Sequence, residues 1–332
     1  MTKLSFFRPG LCLFLLVTMC AIMFSATSQA QQRIHRTFDP TDGLVQSQIH
    51  ALHEDRQGYL WIGTLGGVSR WDGNEFVNFT VEDGLGSRYV RCMTEDTEGR
   101  ILVGHFRGGM TVIDGDSLWT IGPEQGLPNE SVHSLLALPD GVVLISTDAG
   151  LSSFQAGAVA PFDSTSGLTD LLISGMVQRP DGTIVLSTWG QGLVVAGGSP
   201  LQRLSQPEGL PDPRLTGLCL GDDGLVFCSP NMSGVWVLDG EDIRPLADNS
   251  QLAELDVLSI FHTADGTLYL GTENQGINIW QDGELDTIGP ANGLLGEVVK
   301  CFEEGSDGMI YVGTWGGLSI HDRDRMVVIN SD

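Results

Sequence analysis

The chain has 332 residues, of which 41% are hydrophobic and 18% charged, a composition that excludes a disordered tail. Its 44 glycines are nearly double an ordinary share of about 7%, yet they show no G-X-Y period, so the chain is not collagen-like. A formal charge of −25 repels phosphate backbones and anionic lipid heads, which argues against nucleic acid as a partner.

Lys3 and Arg8 precede an apolar run from Leu11 to Phe24, and Ser-Ala-Thr-Ser-Gln-Ala follows at 25–30. A basic start, a short apolar centre and small residues before the cut describe a secretory signal peptide over residues 1–30, cleaved after Ala30. The run is shorter than the roughly 20 residues of a spanning helix, and no later stretch reaches that length. Residues 31–332 are therefore expected to form one domain, exported to the periplasm or beyond, with no membrane span after cleavage. Beyond residue 30 a single lysine, Lys300, stands against 14 arginines. That balance suits either a salt-adapted surface or an ordinary acidic exported protein.

Turn glycines recur at Gly58, Gly99, Gly141, Gly182, Gly224, Gly266 and Gly308, in steps of 41 or 42 residues. A Gly-Leu pair keeps the same beat, beginning at Gly43 and Gly84. Each copy reads as four short strands. In the first, IHALHED (49–55) leads into the turn, and YLWIGT (59–64), GVSRW (67–71) and EFVNFT (75–80) follow. The second strand is apolar on both faces, as a sheet packed between two like sheets requires. Seven such units predict an all-β fold, a seven-bladed β-propeller of four-stranded antiparallel blades. RIHRTFDPTDGL (33–44) arrives without a blade of its own and is expected to close blade seven, although RMVVIN (325–330) occupies the same register. Of the four later cysteines, Cys92 and Cys301 fall in a column of small residues and read as buried thiols. Cys219 and Cys228 flank one turn, where a disulfide is an open alternative.

The stretch HEDRQGYLWIGTLGGVSRWDG (53–73), with Gly43-Leu44 before it and TWGGLSIHD (314–322) echoing its later half, resembles the two-component regulator propeller repeat. The resemblance extends over residues 33–330, with copies three to five degraded. It implies the outer sensor propeller of histidine kinases and hybrid sensors, proteins associated with recognising oligosaccharides. This chain departs from that pattern in having no second propeller and no kinase motif, so it is expected as a stand-alone sensor module.

No catalytic signature stands out. His50-Ala-Leu-His53-Glu54 has the wrong order for a zinc helix and lies on a strand. His50 shares a column with Arg91, His133, Ser174, Thr216 and Lys300, which reads as hydrogen-bonded or channel-facing rather than metal-binding. Aspartates such as Asp140 and Asp181 belong to turns. No motif calls for a cofactor or a metal.

Loops joining the blades emerge on one face with those between second and third strands, and variation concentrates there. The second strands end at Leu65, Phe106, Asp148, Trp189, Asn231, Glu273 and Trp315, and the inner strands begin near Arg88, Tyr89, Asn129, Asp170, Arg214 and Glu297. A funnel at the axis is the default ligand site. The candidate ligand-binding residues are Arg88, Tyr89, His105, Arg107, Trp189, Arg214, Glu273 and Trp315. Trp189 and Trp315 suit stacking on a sugar ring, against the alternative of packing between blades. Arg88 and Arg107 suit a carboxylate or sulfate, against the alternative of surface ion pairs. The acidic surface disfavours an anionic polymer, and a neutral or singly charged oligosaccharide accommodates both facts.

The expected function is that of a non-catalytic, exported sensor-type propeller binding an oligosaccharide or other small ligand, with a separate sensor kinase or periplasmic protein as the further partner. Two alternatives stand beside it. One is a propeller enzyme, a lyase or hydrolase using funnel histidines and acids, and the other is a protein-interaction scaffold.

Overall fold

Each copy of the repeat folds into one antiparallel sheet of four strands, and seven such sheets are present. The structure, a computed structural model, describes residues 34–322 apart from 163–167, 169–170, 198–200, 222–223, 247–248, 253–254 and 282. The expected signal peptide, Asp170 and the segment RMVVIN lie outside the described residues. Blade one comprises Ile49–Glu54, Leu60–Thr64, Val68–Trp71 and Phe76–Phe79, hydrogen-bonded in that order. The inner strand of every blade packs against the inner strands of both neighbours, that of blade seven against that of blade one included, so the ring is closed.

Closure uses the amino terminus. Ile34–Phe38 pairs antiparallel with Leu318–His321 and becomes the outer strand of blade seven, as its register with the other outer strands predicts. Phe38 then lies against Trp71 and Phe76 of blade one, with ring centroids 5.1 and 5.4 Å apart. At the turn end of the same junction the Glu54 carboxylate accepts from the Ser306 amide at 3.0 Å, and the Glu54 amide donates to Glu303 Oε1 at 3.0 Å.

The second strand of each blade is buried along its whole length, for instance Leu60–Thr64, Ile184–Thr188 and Ile310–Thr314. Blades can approach this closely because one column at the inner seam is shared between two strands. Where the second strand has glycine, the facing residue is larger: Gly63 faces Ala51, Gly104 faces Cys92, Gly271 faces Ser259 and Gly313 faces Cys301. Where the second strand has serine, the inner strand gives way in blades four and five, with Gly175 facing Ser187 and Gly217 facing Ser229. A Cβ on Gly104 would stand 2.4 Å from Cys92 Sγ, and one on Gly217 would stand 2.7 Å from Ser229 Oγ. Space for one side chain is thus divided in six of the blades, while in blade three serine faces serine, Ser134 against Ser146.

None of the described cysteines is disulfide-bonded. Cys219 pairs across its hairpin with Phe227, and Cys228 pairs with Leu218, so the two thiols are one register step apart and project to opposite faces. Burial pushes the Cys92 and Cys228 thiols up to about 12 and raises Cys301 as well, which leaves all three un-ionised.

Turn aspartates bind backbone, as expected. Asp140 and Asp181 accept from the amides of Val142 and Thr183. In blades one and two the aspartate stands earlier in the turn and reaches further. Asp55 accepts from the amides of Gln57 (2.9 Å) and Tyr59 (3.0 Å) and from Trp61 Nε1 (2.7 Å), while Asp96 does the same for Glu98 and Arg100.

Candidate functional site

Every inner strand slips register at its second residue: between Ile49 and Ala51, Val90 and Cys92, Val132 and Ser134, Ile173 and Gly175, Leu215 and Gly217, Val257 and Ser259, and Val299 and Cys301. A bulge residue has no cross-strand partner, and its side chain is re-aimed. Here the seven bulge residues are His50, Arg91, His133, Ser174, Thr216, Leu258 and Lys300, and all seven line one cavity of about 760 Å³. The repeat therefore builds a ring of free choice: backbone geometry is the same in every blade, and only the side chain varies.

Two members of that ring also bond the backbone of the next blade. Ser174 donates to the Leu215 carbonyl (2.9 Å) and Thr216 to the Val257 carbonyl (2.7 Å), each in the next blade. The remaining polar members face the cavity differently. Arg91 places its guanidinium 5.1 Å from the Phe106 ring centroid and donates to His133 Nδ1. His133 Nε2 donates in turn to Asp148 Oδ1 at 2.6 Å. Both ring nitrogens of His133 are thereby occupied, which leaves it no lone pair to act as a base and makes it a strut between Asp148 and Arg91. The His133 hydrogen bond in turn holds the Asp148 carboxyl below its usual range.

His50 is different again. Burial, and then the charges of Lys300 and Arg91, depress its imidazole to about 4, so it is neutral near pH 7, and its Nε2 is buried with no hydrogen-bond partner among the described residues. Lys300 is also lowered by burial, while Glu273 and Asp256 act in the opposite direction and favour its charged form.

The rim residues expected from sequence divide into three groups. Tyr89 and Trp189 line the cavity, where Trp189 is 47% exposed and Phe106, another lining residue, is 40% exposed. Arg88, Arg107, Arg214, Glu273 and Trp315 lie outside the cavity lining. Of these, Arg88 stacks on Tyr89 with its guanidinium 4.6 Å from the ring centroid, Arg107 stands 5.3 Å from the Phe106 ring, and Arg214 is paired to Asp212 through Nε at 2.9 Å and Nη2 at 2.6 Å. Trp315 is 43% exposed.

His105 is a correction. It is fully buried, with Nε2 2.8 Å from Thr111 Oγ1, and cannot meet a ligand at the rim. The position is structural. In blades one, three and four its equivalents Thr64, Thr147 and Thr188 turn their hydroxyls to the carbonyls of Gly67, Gly150 and Gly192, and His105 occupies that enclosed place in blade two. The column of His50, Arg91, His133, Ser174, Thr216 and Lys300 faces the channel, as the sequence suggested, although none of the six stood among the candidate ligand-binding residues. Their signal was present as a polar column one residue before the small one, but the bulge that aims it was not visible.

Residues 43–66 match the family described as Two component regulator propeller. That match is one copy of the two-component regulator propeller repeat. Histidine kinase P4 of Formosa agariphila is 32% identical over 63 residues, which is 19% of this chain and 5% of that protein. Among solved structures, the extracellular domain of the hybrid two component system BT3049 from B. thetaiotaomicron superposes with a TM-score of 0.76 at 20% identity, covering 87% of this chain and 41% of that one. The virginiamycin B lyase of Staphylococcus aureus shares the fold at TM-score 0.63 and 11% identity, over 83% of this chain and 95% of the lyase. The chain thus spans less than half of the extracellular domain it matches, and the likeness to both structures is one of fold.

Proposed function

We propose that this propeller is an exported, non-catalytic sensor module that seats an oligosaccharide in its axial cavity, and that a separate kinase or periplasmic protein reads the bound state. One observation supports this best: the ring of bulge side chains opens into a cavity of about 760 Å³ whose wall includes the half-exposed Trp189, Phe106 and Tyr89. Aromatic faces with polar edges suit the apolar face and hydroxyls of a sugar. The repeat itself is that of two-component sensors, which agrees with a sensing role. Both ring nitrogens of His133 are engaged, by Arg91 and Asp148, so the enzyme alternative could not use it as a free base.

The test is a melting-temperature and calorimetric screen of the protein against neutral and acidic oligosaccharides. One sugar should raise the melting temperature and be recovered chemically unchanged. Trp189→Ala should then weaken its binding by about tenfold or more, with little effect on the unliganded melting temperature. Turnover of the sugar would overturn the non-catalytic reading. Unchanged affinity in Trp189→Ala would remove the aromatic wall from the site.

A further inference from the structure

We propose that the cavity takes its ligand by a single anionic group, a carboxylate, held between Arg91 and Lys300 with His50 donating a third hydrogen bond. This deepens the reading of the cavity as the ligand seat and depends on it for the location, though not for the ligand being a sugar.

The distribution of charge carries the argument. The chain has 42 acidic side chains against 17 lysines and arginines, yet none of the seven bulge positions around the axis holds an acid. Two hold basic side chains, Arg91 and Lys300, and two hold imidazoles, and Lys300 is the only lysine after residue 30. Placing cations in a wall whose other side chains are imidazole, aromatic, hydroxyl and aliphatic, with no acid among them, creates a positive well inside a negative shell. Such a shell turns away a polyanion lying across the face. A lone anionic group that enters the well meets two cations, of which the partly buried Lys300 is screened by salt less than a fully exposed charge.

The well is prepared for a planar anion. Arg91 is stacked on Phe106 and braced through His133 by Asp148, so its fork is held before a ligand arrives. Glu273 and Asp256 of blade six favour the charged form of Lys300 against the pull of burial, and neither belongs to the cavity lining. His50 stands beside them electrically neutral, so it adds a donor without adding charge, and its buried Nε2 lacks the partner that buried polar atoms ordinarily have. A carboxylate oxygen supplies that partner.

The experiment uses acetate as the minimal carboxylate, and cellobiose with its singly carboxylated counterpart, cellobiouronic acid, as the sugar pair. Acetate titrated into the full protein should shift the His50 imidazole resonances. Arg91→Gln and Lys300→Met should each weaken acetate and cellobiouronic acid by about tenfold or more, the scale of a lost hydrogen bond to a charged group. Unliganded Lys300→Met should melt no lower than the parent, since burial disfavours the charge it removes. That behaviour separates lost binding from lost folding. Acetate that leaves His50 unmoved, or that binds both variants like the parent, overturns the proposal even when cellobiose binds. Acetate binding that needs Arg91 and Lys300, with no sugar bound at all, upholds the anion well and overturns the oligosaccharide reading.

Discussion

Asp55→Asn is a substitution whose cost can be worked out contact by contact. Asp55 is 7% exposed and accepts three hydrogen bonds, two from backbone amides through Oδ1 and one from Trp61 Nε1 through Oδ2. An asparagine keeps its single oxygen on the two amides only by turning its NH₂ toward the indole N–H, donor against donor. Trp61 is 4% exposed, so water cannot replace the lost acceptor. A buried donor stripped of its partner costs about 1–3 kcal/mol, and one bonded to a charged acceptor belongs at the upper end. The expected loss is about 2–3 kcal/mol for Asn and about 1 kcal/mol more for Ala, which surrenders the two amide contacts as well. In a domain of this size each kcal/mol lowers the melting temperature by about 2–4 °C. Urea unfolding followed by tryptophan fluorescence, with unfolding checked by a second probe, reads the difference as a shift in midpoint at unchanged slope. An Asn variant within about 0.5 kcal/mol of the parent, the scatter of an ordinary surface substitution, would refute the claim that the charged acceptor locks this turn.

Two further outcomes are expected. Phe38→Ala removes the side chain that ties the closing strand to Trp71 and Phe76, and should cost about 3–5 kcal/mol, with early exposure of residues 34–38 to proteolysis; a cost below about 1 kcal/mol would show that the seam is held by backbone pairing alone. Burial lifts the Glu303 carboxyl to about 7, above its unfolded value near 4.5, so the folded state retains a proton that the unfolded chain releases and stability falls as pH rises between those values. Glu303→Gln keeps an acceptor for the Glu54 amide, and its advantage over the parent should grow by about 1–3 kcal/mol from pH 4 to pH 8; an advantage equal at both pH values would refute the assignment.

The architecture was legible because each copy repeats the same local chemistry. Turn glycines every 41 or 42 residues, doubly apolar second strands such as Ile184–Thr188, and an orphan first strand with Phe38 in register predicted seven blades and the closing strand. The small column containing Cys92 and Gly175 was legible too, although the reciprocity with Gly104 and Ser187 emerges only when the hairpin registers are known. The site was legible only in part. Tyr89 and Trp189 reach the cavity, whereas His105, one residue before the cavity-lining Phe106, points into the blade. Alternation along a strand decides between such neighbours, and the bulge shifts that alternation by one in each inner strand. Arg214 was captured by Asp212, two residues earlier in the sequence, and that pairing was open to reading from the start.

The seam between the first and last strands also governs the order of assembly. In a chain synthesised from its amino end, Ile34–Phe38 is made first and finds its partner Leu318–His321 only after all the other strands exist. For that interval its hydrogen-bonding edge stays unpaired, the kind of surface that invites premature association. A second copy of the chain offers the same complementary edge, so the joint that makes the wheel a single closed body is also where two wheels can trade spokes.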